Sequence, residues 1–391
     1  MEIPRAGISE YSVPSISVKA NLHAGLIRSH QASSLIPRNP RLTTLLPNGV
    51  HEVMMKRLAF TCCGLFAALV LLAACGAPTG SALTPLSAQR TTPRHDKSWM
   101  SPLASRKSKL LYISAFNGND VTVYDYASGK QVGMLTGLSS PAGQCVDTKG
   151  DVYIANSGGA VDEYAHGGKK PIKTFATSGD AFGCSVDKAN DLAVTDFLGA
   201  SYTAGSVTIF PKGSSEGVVY SNPADCYYIW NAGYDDKGNL VMIAENEASE
   251  AVTFCAVLKG SKSLTTLTAS GFTVYSPDST MWDGKYIALG DQQIGGGFQS
   301  GIIEATLSGS TLTSHGQVVL SDTCQGDYTH VIQPFIVGRK NTPVNDKQGT
   351  VVAGANEFCS ADFRLWPYPA GGTPVKSLTF QSGGQSVSIG N

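Results

Sequence analysis

The chain has 391 residues and is nearly neutral, with 29 Lys and Arg against 30 Asp and Glu. Residues 76–391 hold 22 of these bases and 27 of these acids, and the resulting net charge of −5 excludes the basic surface of a nucleic-acid-binding protein. Charged residues make up only 15% of the chain while glycine contributes 43 positions, which favours short strands and turns over helices.

The N-terminal part contains one long apolar run, residues 58–74, directly after two basic residues. A basic stretch, an apolar core and small residues before a cleavage point are the parts of a signal peptide, so we expect one over residues 54–75. Its ending, Leu72-Ala73-Ala74-Cys75, resembles the bacterial lipobox, whose cysteine carries the lipid. The resemblance implies a lipid anchor on Cys75 that holds the protein in the cell envelope, at the outer membrane or cell surface, because Gly76 rather than Asp follows the cysteine. A membrane-spanning anchor is the alternative, although the run is short for one.

Two further segments flank this signal. Residues 1–53 are polar and lack periodicity, and we expect them to be a disordered extension or to result from a start codon placed too far upstream. Residues 76–108 contain four prolines among Ser, Thr and Ala, which predicts a flexible linker. Residues 109–391 are therefore expected to form the folded body.

A pattern with a period of roughly 40 residues recurs along this body. Its clearest copies are Gly143–Asn156 and Gly183–Asp196, each with a short apolar stretch that ends at an Asp and a second strand after a turn. Asp147 and Asp187 begin these turns, because Asp accepts hydrogen bonds from nearby backbone N–H groups and the Gly or Asn three residues later tolerates positive φ. Each unit predicts four short antiparallel strands, which is the blade of a β-propeller.

The units also predict how the fold closes. Five complete units begin near residues 141, 181, 229, 277 and 328. A sixth is divided, because residues 109–135 supply strands two to four and Gly384–Ser388 matches the missing strand one. We therefore predict an all-β fold, a six-bladed β-propeller with four antiparallel strands per blade, whose ring is closed by the C-terminal strand pairing beside Leu110–Ser114.

The repeats resemble those of the NHL-repeat and gluconolactonase-like propellers in their Pro-x-Gly…Asp-x-x-Gly-x-Val-Tyr-Ile-Ala sequence. In the gluconolactonase-like family, acidic and amide side chains from several blades converge on one divalent metal such as Ca, which polarises a lactone carbonyl. The resemblance implies a candidate metal site just after the second strands, at Asn156, Asp196, Glu245, Asp291 and Glu357. The alternative is that each side chain caps its own turn, and the regular recurrence of these residues favours capping.

Aromatic residues suggest a different kind of site, at the starts of the first strands. The candidate ligand-binding residues at the mouth of the central channel are Tyr227, Tyr228, Trp230, Trp282, Tyr328 and His330. Together they would form an apolar surface for a small molecule, a glycan or a protein, with packing between blades as the alternative. We therefore predict a monomeric, non-catalytic binding module that needs no cofactor, and a metal-dependent lactone hydrolase is the alternative.

Six cysteines remain in the body once the signal and the lipidation site are set aside. An even number in an exported domain predicts disulfides, for which 15 connectivities exist. Cys145 and Cys184 occupy nearly the same place in adjacent units, where first strands converge, so we pair them. Two further pairs each join cysteines of one unit, and these are Cys226 with Cys255 and Cys324 with Cys359.

Overall fold

The structure is a computed structural model, and it describes residues 97–104, 109–297, 299–321, 331–337, 351–356, 362–379 and 384–390. The predicted extension 1–53, the predicted signal 54–75 and most of the predicted linker 76–108 lie outside the described residues. So do the sequence-predicted residues Cys75, Cys324, Tyr328, His330, Glu357 and Cys359. Among the described residues, no helix is both long and apolar enough to cross a membrane.

The described fold is all-β and is built from antiparallel sheets in which successive strands are neighbours. Sheet I contains β1 (Trp99–Met100), β2 (Leu110–Ala115), β3 (Asp120–Asp125), β4 (Gln131–Thr136) and β25 (Gly384–Gly390) in the spatial order β1-β4-β3-β2-β25. Sheet II contains β5 (Pro141–Val146), β6 (Val152–Asn156), β7 (Ala160–Tyr164) and β8 (Pro171–Ala176). Sheet III contains β9 (Gly179–Val186), β10 (Leu192–Gly199), β11 (Ala204–Phe210) and β12 (Val218–Tyr220).

The next sheet is larger. Sheet IV joins β13 (Tyr228–Tyr234), β14 (Leu240–Glu245), β15 (Val252–Val257) and β16 (Thr265–Ser270) to β17 (Pro277–Trp282), β18 (Ile287–Asp291), β19 (Gly301–Ser308) and β20 (Thr311–Val319). The two halves meet where the outer strands β16 and β20 run parallel for three residues, from Thr268 opposite Thr311 to Ser270 opposite Thr313. Sheet V contains β21 (Val331–Val337), β22 (Val351–Asn356), β23 (Asp362–Pro367) and β24 (Lys376–Thr379). Short 3₁₀ turns are formed by Ala200–Tyr202 and Ile294–Gly296.

The recurring turns form as the sequence predicts. Asp147, Asp187 and Asp235 each accept two backbone N–H groups, from the residues two and four positions later, at 2.8–2.9 Å. Gly150 then has a φ of 86°, a left-handed conformation that glycine adopts without steric cost. These carboxylates satisfy backbone donors that the strands leave unpaired, and so they end one strand and begin the next.

The divided sheet is confirmed. The last strand, β25, pairs antiparallel with β2 from Leu110 opposite Gly390 to Ser114 opposite Ser386. Farther out, Lys376 Nζ donates to the carbonyl oxygen of Tyr126 at 3.0 Å, which joins the end of sheet V to sheet I. The N-terminal and C-terminal parts of the body are therefore held together by main-chain hydrogen bonds.

The first strands of the sheets lie next to one another. Contacts join β5 to β9, β9 to β13, β13 to β17, β17 to β21, β21 to β25 and β25 to β5. At two of these contacts glycine is required, because a Cβ on Gly143 would lie 2.5 Å from the carbonyl oxygen of Phe182 and one on Gly233 would lie 2.7 Å from that of Thr280. Four-stranded antiparallel units whose first strands converge in this way are consistent with a β-propeller.

Apolar side chains and one disulfide hold neighbouring sheets together, and a second disulfide lies within one half of sheet IV. Between sheets II and III, Tyr153, Phe175 and Phe210 belong to one buried cluster, with the rings of Phe175 and Phe210 edge to face at 5.1 Å. Cys145 and Cys184 are bonded across the same boundary, with Cα atoms 5.6 Å apart, and Cys226 is bonded to Cys255 with Cα atoms 6.6 Å apart. Both predicted pairings are confirmed.

A short strand precedes residue 109 and pairs with sheet I. Trp99 and Met100 form a short strand that pairs with β4, with Trp99 opposite Met134. Ser98 Oγ accepts a hydrogen bond from the backbone N–H of Thr136 at 2.9 Å. Residues 98–100, which belong to the predicted linker segment, therefore cover the outer edge of sheet I.

Candidate functional site

The residues singled out by the sequence can be placed by the pairing of first and second strands. Pro141 lies opposite Asn156, Tyr228 opposite Glu245, and Pro277 opposite Asp291. First strands therefore begin where second strands end, and we call this end of the sheets the upper end. The opposite end, which carries the Asp147, Asp187 and Asp235 turns, is the lower end.

Six aromatic side chains meet at the upper end, and we call them the aromatic cluster. They are Phe116, Phe182, Phe197, Tyr227, Tyr228 and Trp230. The ring of Phe197 stacks on that of Tyr228 with centroids 5.2 Å apart and meets the indole of Trp230 edge to face at 4.9 Å. Phe197 and Trp230 also pack against a buried apolar cluster that contains Phe182 and Phe116. Sheets I, III and IV therefore each contribute aromatic residues to this cluster.

The aromatic cluster is only partly covered. Phe116 and Phe182 are buried, whereas Phe197, Tyr228 and Trp230 are half-buried and keep part of their rings accessible. The indole Nε1 of Trp230 is buried and has no hydrogen-bond acceptor among the described residues. An aromatic surface that is only partly covered suits a ligand that brings an apolar face.

The structure brings together Tyr227, Tyr228 and Trp230, as the sequence predicts, but not Trp282. Tyr227 and Tyr228 have ring centroids 4.9 Å apart, and the Tyr227 hydroxyl donates to the Tyr202 carbonyl at 3.1 Å. Trp282 pairs with Ile287 at the lower end of β17 and packs against the apolar core of sheet IV. Trp282 lies far from the aromatic residues because it is the last residue of its first strand, β17, whereas Tyr228 is the first residue of its first strand, β13.

The polar residues at the ends of the second strands make local contacts. Asp291 accepts three backbone N–H groups, from Tyr275 at 3.1 Å, Ser276 at 3.0 Å and Gln293 at 2.9 Å. Asn156 donates through Nδ2 to Asp162 at 3.0 Å. In the part of the chain that the structure describes, no group of three or more His, Cys, Asp and Glu side chains is placed to hold a metal.

Asp196 belongs to a pair of carboxyl groups at the upper end. Its side chain is buried, and its Oδ2 accepts hydrogen bonds from the hydroxyls of Ser178 and Ser206 at 3.1 Å each. Burial nevertheless raises the pKa of Asp196, and it also raises the pKa of half-buried Asp180, to which the neighbouring charge of Asp196 adds. The two groups therefore hold protons more readily than ordinary aspartates do.

The charges of the two ends differ. Among the described connections at the upper end there is no Lys or Arg, while carboxylates stand in or beside them at Asp180, Asp225, Glu247 and Glu250. The connections of the lower end hold both signs, with lysines at Lys149, Lys188, Lys212, Lys237 and Lys259 beside the carboxylates of the Asp147, Asp187 and Asp235 turns. The electrostatic potential of the upper end therefore favours a neutral or cationic ligand over an anionic one.

Sequence reasoning missed half of the aromatic cluster and one carboxylate, namely Phe116, Phe182, Phe197 and Asp180. A positional signal was present, because Phe116 and Phe197 each stand one place after the residue equivalent to Asn156 in the repeat. Aligning that column would have placed both rings at the upper end. Their contact with Trp230 requires the arrangement of neighbouring sheets, which the repeat does not contain.

Comparison with known proteins adds distant structural likenesses. No protein-family model matches the chain, and no curated protein matches it. The Kuenenia stuttgartiensis hydrazine synthase structure is similar with a TM-score of 0.46 and 17% identity, over 70% of this chain and 84% of that one. A Bacteroides caccae protein of unknown function gives 0.49 and 9%, over 73% and 99%. The β-propeller domain of Cps50 (Swd1) from Myceliophteria thermophila gives 0.45 and 9%, over 74% and 88%. Likeness at this level says nothing about what this chain binds.

Proposed function

We propose that the body is a six-bladed β-propeller that is exported, anchored in the cell envelope through lipid on Cys75, and binds a ligand at its upper end without catalysing a reaction. The aromatic cluster is the binding surface in this proposal. The NHL-like repeat pattern supports the fold, and the lipobox-like ending at Cys75 supports the anchor. Loss of membrane attachment in a Cys75→Ser protein would test the anchor separately.

The count of six follows from treating each half of sheet IV as one blade. The two halves are joined by strand pairing only at the short parallel pairing of β16 with β20, whereas within each half all strands pair antiparallel. The contacts between first strands then run through β5, β9, β13, β17, β21 and β25 and return to β5. A cycle of this kind is what a closed propeller requires.

The observation that carries the binding role is the composition of the aromatic cluster. Three sheets contribute to it, so it spans the region where their first strands converge. Packing alone would favour full burial, yet Phe197, Tyr228 and Trp230 are half-buried. Large aromatic side chains with accessible faces supply much of the binding energy at recognition sites. With carboxylates around it and no nearby base in the described connections, the surface suits a neutral or cationic ligand.

Thermal unfolding in the presence of candidate ligands tests this role. A ligand that binds the folded state raises the melting temperature, so neutral glycans, short peptides and alkylammonium compounds can be compared on the exported body. We expect Trp230→Leu to weaken binding about 30-fold, as loss of an aromatic hot spot does. Trp282→Leu is the matched control, because Trp282 lies at the lower end.

Two results would contradict the proposal. One is the absence of any ligand-induced rise in the melting temperature of the unsubstituted protein across the three ligand classes. The other is an equal loss of the rise in Trp230→Leu and Trp282→Leu proteins, which would show that the effect reports general destabilisation and not binding at the aromatic cluster.

A further inference from the structure

A second concave surface lies away from the aromatic cluster, near the junction of the two halves of sheet IV. It is a cleft of about 520 Å³. The described residues that line it are Gly271, Phe272, Thr273, Tyr275, Gly295, Ile303, Ser314, Gly316 and Gln317. None of these residues belongs to the aromatic cluster, so the cleft is a separate candidate site.

The strand arrangement explains why the cleft exists. The outer strands β16 and β20 pair only over Thr268–Ser270 and Thr311–Thr313. Beyond this point β16 ends and the chain turns away at Gly271, whose φ of 81° is left-handed, while β20 continues to Val319. The two strands therefore diverge, and the space between them stays open. A bulge in β20 near Ser314 increases the local twist of that wall.

Tyr275 presents a large aromatic face at the cleft. Its side chain is 53% exposed, which is unusual for a residue of this size in a folded body. One part of the ring lies against Gly296, where an added Cβ would stand 3.2 Å from a ring carbon. The ring is therefore supported by backbone on that side and leaves the remainder of its surface to solvent.

A single carboxylate fixes two sides of the cleft. Asp291 accepts the backbone N–H groups of Tyr275 and Ser276 on one side, and that of Gln293, which leads into the Ile294–Gly296 turn, on the other. Asp291 itself is buried at the end of β18, which has no exposed residue. The aromatic ring and the glycine turn are thus held in place before any ligand arrives, which lowers the entropic cost of binding.

The chemistry of the lining narrows the class of ligand. Among the described residues no charged side chain lines the cleft, so the described lining has neither the Lys or Arg groups that recognise phosphate or carboxylate nor the carboxylates that hold cations. Its polar side chains, Thr273, Ser314 and Gln317, donate and accept neutral hydrogen bonds. A ligand that matches both these groups and the Tyr275 face needs many hydroxyls and one apolar face.

We infer that the cleft binds a neutral saccharide, with a sugar ring stacked on Tyr275 and its hydroxyls bonded to Gln317, Ser314 and Thr273. The volume holds a ligand of one or two sugar units, at the lower end of the range of small-molecule sites. This site shares no residue with the aromatic cluster, so a result that contradicts one of the two proposals leaves the other unaffected.

Titration calorimetry with three neutral oligosaccharides of two sugar units tests the inference: maltose, cellobiose and di-N-acetylchitobiose. We expect at least one to bind the unsubstituted body. Tyr275→Ala should weaken that binding about tenfold by removing the stacking face, and Gln317→Ala about fivefold by removing hydrogen bonds. Tyr275→Phe should retain it, because the ring remains and the backbone N–H of residue 275 still donates to Asp291.

Trp230→Leu separates this site from the aromatic cluster. Binding that survives Trp230→Leu and is lost in Tyr275→Ala supports the saccharide cleft. Binding that is lost in Trp230→Leu and survives Tyr275→Ala would overturn the inference while supporting the proposed function. Absence of binding by all three oligosaccharides would also overturn it, and so would equal affinities for the Tyr275→Ala and unsubstituted proteins.

Discussion

Two boundaries between neighbouring four-stranded units are alike at their first strands and differ in the further links that hold them. Between sheets II and III the first strands are pinned, because Gly143 allows close approach and the Cys145–Cys184 disulfide links the strands. Farther out, Phe175 packs on Phe210, and Lys173 Nζ donates to the Ser214 carbonyl at 2.7 Å. Between the halves of sheet IV the first strands also approach closely, at Gly233 and Thr280, and the outer strands are joined in addition by the parallel pairing of β16 with β20.

The comparison of these two boundaries indicates which of them leaves space for a ligand. Packed aromatic and aliphatic side chains fill the wedge between sheets II and III from the first strands outward. At the sheet IV junction the outer strands meet early and then diverge, and the saccharide cleft opens above their pairing. Apolar side chains also pack between the two halves of sheet IV, and the cleft with its aromatic wall lies beyond the β16–β20 pairing.

The largest expected effect comes from removing β25, the C-terminal strand whose pairing with β2 joins the two ends of the body. Deleting residues 384–391 removes the strand that pairs with β2, whose six residues are all buried. We expect the loss of about 5 kcal/mol or more of unfolding free energy, comparable to the whole stability of many domains, because a buried strand loses its ladder hydrogen bonds. Urea unfolding followed by tryptophan fluorescence measures the loss.

A peptide with the sequence of residues 384–391 is the matching control. Added in excess, it should restore part of the stability of the truncated protein, since it can pair with the same edge of β2. Unfolding of the truncated protein at the same urea concentration as the full body would contradict a closed ring.

The pinned boundary is tested by removing its disulfide. Replacing both Cys145 and Cys184 with Ser should lower the unfolding free energy by about 3–4 kcal/mol, because the bridge closes a loop of 39 residues in the unfolded chain. The control is the double Ser variant of Cys226 and Cys255, whose bridge joins the segment just before β13 to β15 in the same half of sheet IV. Only the first variant should raise hydrogen exchange in both β5 and β9; a rise confined to one sheet would contradict its role as a link between sheets.

These two boundaries also show which structural features could be predicted from the sequence. The Asp147 and Asp187 turns, the pairing of β25 with β2 and the Cys145–Cys184 bridge could all be predicted, because each depends on local turn chemistry or on equivalent positions in the repeat. The parallel pairing of β16 with β20 could not, since it joins segments that have no common place in the repeat. A period describes each unit, but contacts between units depend on how side chains of different sizes fill the wedge between them.

The open junction is tested by Asp291→Asn, for which we expect the smallest effect. The amide has one acceptor oxygen, so at least one of the three backbone N–H groups loses its partner, which costs about 1 kcal/mol. Burial raises the pKa of Asp291 above its ordinary value of 3.8, so the folded state holds this proton to higher pH than the unfolded state does. The contribution of Asp291 to the stability of the unsubstituted protein therefore falls as pH rises from below 3.8 through the raised pKa, and that fall is complete above it.

The amide has no proton to lose in this range, so the Asn variant lacks this contribution to the pH dependence. The two proteins should differ most in acid, where Asp291 is neutral, and less at neutral pH, where the unsubstituted protein carries the cost of a buried charge. Urea unfolding of both proteins at several pH values between about 3.5 and 7 measures this difference. A difference that stays constant across the range would mean that the Asp291 carboxyl has the same pKa in the folded and unfolded states, and that burial does not act on the residue that holds the Tyr275 side of the cleft.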